Sequence, residues 1–155
     1  MTDSIITRHG LEHTVMVMGT ANRTSKRTPI TSAVRDSIIR AVHPDIRILH
    51  LSDYPKQPGE CPDQRLIDWI TRVRTLLSEL DGPYKFYGGS EADLRILGTA
   101  FDTEILVDRE TEGQGISATQ ARNAIVAGDF QKLPEFVDER TIPILRRWYK
   151  ENIVI

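Results

Sequence analysis

The sequence predicts an α/β fold, a parallel sheet with helices on both faces and further helices at the C-terminus. Three observations carry that expectation. Short apolar runs alternate with longer amphipathic segments in the order αβαβαβαβαα. The runs themselves are nearly continuous in apolar character, as in Thr14–Met18, which is how strands buried on both faces read. The stretches with chemical character all follow the ends of strands: a basic loop after Gly19, a Gly88-Gly89 turn, and a helix start at Ser117. Alternation of this kind puts a helix between successive strands, and ligands then bind at the carboxyl edge of the sheet.

The elements justify themselves in order. Residues 2–13 read as a helix capped by Asp3 or Ser4 and weakened at Gly10. The run Thr14–Met18 is a strand ending at Gly19, and Thr20 to Ile30 form a polar loop. Thr31 caps a helix to about Val42, with Val34, Ile38 and Val42 on one face. Ile46–Leu51 is the second strand, and three prolines and a glycine make Ser52–Gln64 a loop. A long helix follows over Arg65–Leu80; Leu66, Ile70, Val73, Leu77 and Leu80 form its stripe, with Trp69 and Leu76 at the border.

Asp81-Gly82-Pro83 stops that helix, and Tyr84–Tyr87 is the third strand before the Gly88-Gly89 turn. Ser90 caps a short helix to about Leu97, and Glu104–Val107 is the fourth strand. The loop Asp108–Gly115 leads into a helix from Ser117 to about Ala127. The tail from Pro134 to Asn152 is helical, with Pro143 expected to divide it.

At 155 residues the chain reads as one domain over 1–155, with room for a real core. A net charge of -2 gives no general attraction to nucleic acid or anionic membrane. No apolar run is long enough to span a bilayer, and the polar start is no signal peptide. The lone Cys61 excludes an internal disulfide and a cysteine metal cluster, so a cytoplasmic protein is the expectation.

The residues with chemical character each have a plain reading beside a functional one. Ser117 and Gln120 have capping-box spacing, with Ile116 as a staple. A helix start offers free N–H groups and partial positive charge to a phosphate. Ser117 and Thr119 add hydroxyls there, and Arg122 stands one turn in; taken alone, the stretch is an ordinary capped helix. Arg23, Lys26 and Arg27 lie in a span without an acid from Thr14 to Val34, which suits a phosphate-bearing substrate or a solvated charge run. Gly88 and Gly89 allow close approach of a ligand or simply a tight turn. Trp69 is core by its spacing, or an exposed ring for stacking a base. No phosphate-loop, GxGxxG, GxSxG or nucleic-acid module occurs, and His9 and His13 lack a third metal ligand.

In series these residues resemble the nucleotidyltransferase superfamily, specifically the nicotinamide-mononucleotide adenylyltransferases of archaeal type and their bacterial relatives. Met18-Gly19-Thr20-Ala21-Asn22-Arg23 is similar to the family's strand ending in Gly-Ser-Ala. Arg27 to Arg35 is similar to its Asn-Pro-Phe-Thr-x-x-Glu-Arg stretch, with Thr28 and Val34 departing from it. Asp68-Trp69-Ile70 with Val73 resembles the segment whose tryptophan stacks on nicotinamide. Ile116 to Arg122 is similar to Ile-Ser-x-Thr-x-x-Arg, which holds the ATP phosphates.

The resemblance implies a Rossmann-like sheet and transfer of AMP from ATP to nicotinamide mononucleotide, with release of pyrophosphate and Mg²⁺ carried by ATP. It implies nucleotide contacts at Gly19, Thr20, Gly88, Gly89, Ser117, Thr119 and Arg122, the last also countering charge in the reaction. Substrate contacts would come from Trp69, Asp53, Arg23 and Arg27. A non-catalytic nucleotide-binding or assembly protein, or a transferase with a cytidylyl- or pantetheine-phosphate-type acceptor, are the rival expectations. No nucleic acid polymer, membrane or protein-held metal is expected.

One family feature has no counterpart. The family opens with a central strand and a Phe-x-Pro-x-His-x-Gly-His loop, and alignment puts Met1 beyond both. Unpaired buried backbone groups cost on the order of 1–3 kcal/mol each, against a net stability of about 5–15 kcal/mol. Three repairs are expected as alternatives: a start lying upstream, a strand from another segment or chain (a partner or a second copy), or closure of the gap by its neighbours. Ile153-Val154-Ile155 is β-prone but short for the purpose.

Overall fold

The computed structural model describes residues 1–26, 28–54, 57–88, 91–106 and 118–153, and of Ala92 and Asp93 the backbone alone. The order of elements is α1 (Thr2–His9), β1 (Val15–Met18), α2 (Ser32–Val42), β2 (Arg47–His50), α3 (Pro62–Leu77), β3 (Lys85–Gly88), α4 (Glu91–Leu94), β4 (Asp102–Ile105), α5 (Ala118–Ala127) and α6 (Ile142–Asn152). The α/β alternation of the sequence is therefore present. The single sheet is not. Among the described residues β1 pairs only with β2 and β3 only with β4, giving two two-stranded parallel ladders.

Several boundaries differ from the sequence expectation for local reasons. Helix α1 stops at His9 because Gly10 takes φ 85, a left-handed terminator. Helix α3 begins at Pro62, three residues before the expected start, because proline at the first turn has no N–H to lose and a preset φ. Strand β4 lies two residues earlier than its apolar residues suggested. Its register pairs Lys85 with Asp102, and the Lys85 ammonium lies 3.2 Å from Asp102 and 3.3 Å from Glu104. Pro143 opens α6 instead of dividing a helix, and the tail before it forms two 3-10 turns, Leu133–Glu135 and Glu139–Thr141.

Two apolar clusters organise these elements. Ala124, Ile125, Leu133, Leu145 and Trp148 form one, against which Ile30, Val34 and Ile38 pack, so α2, α5 and α6 share a core. Leu51, Val73 and Leu77 form the other, joined by Val17 and Leu49 from the first strand pair and Phe86 from the second. Helix α3 thus lies against both ladders. It starts beside the residues after β2, where Arg65 donates to the Tyr54 carbonyl at 3.2 Å. It ends at Tyr84, just ahead of β3, whose hydroxyl donates to the Leu77 carbonyl at 3.0 Å. Among the described residues no helix is long and apolar enough to cross a membrane.

Candidate functional site

The carboxyl ends of β1 and β2 are stitched together by side chains. After Met18 the chain turns through Gly19 and Thr20, and Thr20 takes φ 52, a conformation rare for a β-branched residue. Arg35, in the first turns of α2, holds that turn with its fork: Nη1 donates to the Gly19 carbonyl at 2.8 Å and Nη2 to the Thr20 carbonyl at 2.6 Å. Burial pulls the Arg35 guanidinium down from its ordinary pKa, while an arginine stays charged in any case. The Ala21 amide then donates to the Leu51 carbonyl at 3.0 Å, and the Leu51 amide to the Met18 carbonyl at 2.9 Å.

Asn22 and Asp53 complete the stitch reciprocally. Asn22 Nδ2 donates to the Asp53 carbonyl at 2.9 Å, and the Asp53 amide donates to Asn22 Oδ1 at 2.8 Å. The Asp53 carboxylate takes Arg23 Nη2 at 2.8 Å and the Tyr54 amide at 2.9 Å. Hydrogen bonds to charged groups contribute about 1.5–3 kcal/mol and neutral ones about 0.5–1.5 kcal/mol, so this network is ample to fix two short loops. The Nε atoms of Arg23 and Arg35 are buried without a partner among the described residues. The edge therefore carries two guanidinium groups that are not fully satisfied within it.

The start of α5 is the second cationic point. Arg122 Nη2 donates to Thr119 Oγ1 at 2.9 Å on the exposed side of the helix. The inner side carries Ala124 and Ile125 into the cluster that receives Ile30 and Val34. Val34 and Arg35 are neighbours, so one turn of α2 joins the cluster shared by α5 and α6 on one side and grips the end of β1 on the other. No family model, curated protein or solved structure matches the chain.

Of the residues expected from sequence, Gly19, Thr20, Arg23 and Asp53 come together at this edge, and Thr119 and Arg122 pair at α5. Arg27, Gly89 and Ser117 lie outside the described residues. Trp69 is half-buried against Leu51, Val73 and Leu77, so its ring packs beneath the end of β2. Gly88 is buried, and a Cβ there would stand 2.7 Å from Leu94 Cγ, so its missing side chain makes room for α4. His9 and His13 stay away from the edge: His9 Nε2 is 2.6 Å from the Tyr87 hydroxyl and His13 faces Glu12 at 3.8 Å.

Sequence reasoning missed Asn22 as a stitching residue and knew Arg35 only as a motif position. Their signal is positional: a short amide four residues past a strand and a cation in the first turns of the following helix. Hollows of about 350 Å³ beside α6 and about 530 Å³ beside α4 and β4 include no residue of the stitched edge. Among the described residues no three His, Cys, Asp or Glu side chains converge to hold a metal ion.

Proposed function

We propose that the carboxyl edge of β1 and β2, together with the start of α5, is the nucleotide site of a Rossmann-like nucleotidyltransferase domain. Its reaction is transfer of AMP from ATP to nicotinamide mononucleotide. The observation that supports this most is the Arg35–Asn22–Arg23–Asp53 stitch, which presents fixed cationic and amide groups at the strand ends. A phosphate oxygen of the acceptor attacks the α-phosphorus of ATP; the bond to the bridging oxygen breaks and pyrophosphate leaves. Such a reaction needs no covalent intermediate with the protein, and positioning and charge neutralisation carry the rate. Arg23, tethered by Asp53, would orient the acceptor. Arg122 and Thr119 would meet the triphosphate, with Arg122 countering charge on the departing pyrophosphate. Mg²⁺ would travel on the triphosphate, because the described residues offer it no cage.

A second reading has its own observation. Neither His9, at Tyr87, nor His13, at Glu12, is near the stitched edge, which favours nucleotide binding without turnover. Pyrophosphate release from ATP, nicotinamide mononucleotide and Mg²⁺ separates the two. Release that falls at least about tenfold in Arg122→Ala, equivalent to about 1.4 kcal/mol, supports the transferase. Calorimetric binding without release supports the binding protein, and neither binding nor release contradicts both.

A further inference from the structure

Helix α6 has two sides of different chemistry. Leu145 and Trp148 are buried in the cluster shared with α5. Pro143, Arg146, Arg147 and Lys150 are exposed, and spacings of three and four residues put them on one side of the helix. With half-buried Ile142 they line the hollow of about 350 Å³ beside α6. Three of its five lining residues are cations and none is an acid. Neighbouring cations are matched: Lys132 lies 3.3 Å from Asp129, and Arg140 lies 2.7 Å from Asp138. Arg146, Arg147 and Lys150 make no ion pair among the described residues, although Glu151 stands one turn from Arg147 on the same helix.

One of these cations is held in position. The Arg146 guanidinium lies 5.4 Å from the centre of the Phe130 ring, and Phe130 meets Tyr149 edge-on at 5.3 Å. The turn after α5 fixes Phe130 there. The Asp129 amide donates to the Ala124 carbonyl at 2.9 Å and the Phe130 amide to the Gly128 carbonyl at 3.0 Å. Gly128 takes φ 71, and a Cβ on it would stand 2.8 Å from the Tyr149 hydroxyl, so glycine lets the turn close on that ring. A guanidinium stacked on an aromatic face keeps its fork free for an anion and loses less freedom on binding.

Charge and size say what fits the hollow. Three cations over five residues suit a dianion better than a single carboxylate, and the arginine fork matches phosphate oxygens. Ile142 and Pro143 give the hollow an apolar part that a bare ion would leave in water. Its volume falls within the range of about 300–1,000 Å³ usual for small-molecule sites. A protein partner would engage roughly 20–30 residues a side, far more than this one helix offers. We propose that the hollow binds a small organic phosphate monoester, with its phosphate among Arg146, Arg147 and Lys150 and its carbon part against Ile142 and Pro143. No residue of the stitched edge lines it, nor does Thr119 or Arg122, so this inference stands apart from the nucleotide reading.

An NMR titration with phenyl phosphate tests it, at about pH 7.5, where a monoester is a dianion, and in about 0.1 M salt to screen distant charges. Saturable shifts are expected at the Arg146–Lys150 amides and the Arg146 Nε–H, with inorganic phosphate binding there at least about threefold more weakly. Arg146→Gln and Lys150→Gln should each weaken phenyl phosphate at least about tenfold. Arg146→Lys, which keeps the charge and loses the fork, should also weaken it. All three variants should leave any response at Gly19–Arg23 as in the parent. The substituted side chains are exposed, and unchanged denaturation midpoints verify that the variants fold. Absence of saturable shifts at α6, or a response unmoved by Arg146→Gln, overturns the site. Equal binding of inorganic phosphate overturns the organic ligand. Parent-like binding by Arg146→Lys reduces the response to diffuse charge and overturns the proposal as well.

Discussion

The two strand pairs use their polar residues in opposite ways. In β1–β2 the ladder is largely apolar and the polar groups gather at its carboxyl end, where Arg35, Asn22, Arg23 and Asp53 bind two loops together. In β3–β4 the charges sit on the ladder itself: Lys85 bridges Asp102 and Glu104, and Arg8 reaches Glu104 at 2.5 Å from α1. Its carboxyl end closes on Leu94 over Gly88. The first pair therefore gathers its polar groups at one edge, and the second places its ions along the strands. Exposed ion pairs add little to stability, so the second network aligns strands more than it stabilises them.

The largest expected effect tests whether the two pairs share one core. Leu77 is 4% exposed and sits on α3 between them. Leu77→Ala should cost roughly 2–5 kcal/mol in chemical denaturation and speed exchange in β1 and β3 alike. Faster exchange in one pair alone would break the shared core. Next, Arg35→Ala removes two charge-assisted bonds to carbonyls. A loss of about 1.5–3 kcal/mol is expected, with faster exchange at Ala21 and Leu51 and none at Lys85–Gly88. Loosening of both pairs would make Arg35 a general strut instead of a clamp on the first.

Smaller effects concern the ionic groups. The bond from Arg8, with help from Lys85, holds the Glu104 carboxyl below its ordinary range. A depressed folded value stabilises above the unfolded pKa and is lost as pH falls through the folded one, so this contribution should vanish on acidification below the ordinary Glu range. Glu104→Gln should remove that acid dependence, with a small loss in the neutral-pH denaturation midpoint that closes on acidification. Nucleotide binding should not change. A further ionic effect lies outside both pairs. Arg140 donates to Asp138 through Nε at 2.8 Å and Nη2 at 2.7 Å, holding its carboxyl at about 2. Its contribution should be lost between about pH 4, the ordinary Asp range, and the folded value. Carboxyl NMR titration should give that low midpoint, and Arg140→Ala should move it up.

The alternation of elements was legible because each apolar run is short and each helix has a stripe or cap, as with Thr31, whose hydroxyl accepts the Val34 amide at 3.4 Å. The division of the sheet was not visible from periodicity, since Val15–Met18 reads as a buried strand whether or not it has two neighbours. The bounds of β4 were misread because apolar content favoured Leu106 and Val107, while the strand spans Asp102–Ile105 with Asp102 and Glu104 beside Lys85. At the candidate site, Arg23 was legible as a charge after a strand end, and Asp53 entered only through the resemblance. Their union depends on Asn22 and Arg35, whose partners are backbone carbonyls and an amide contributed by other segments, and a sequence does not display those.

The most direct measurement is amide chemical-shift mapping of the chain on addition of ATP with Mg²⁺, and separately of nicotinamide mononucleotide. The expected result is saturable shifts at Gly19–Arg23 and Asp53, with ATP also moving Thr119 and Arg122, and no change at Lys85 or Glu104. Absence of shifts at millimolar nucleotide, or shifts confined to the β3–β4 ladder, would contradict the assignment of the nucleotide site to the first pair.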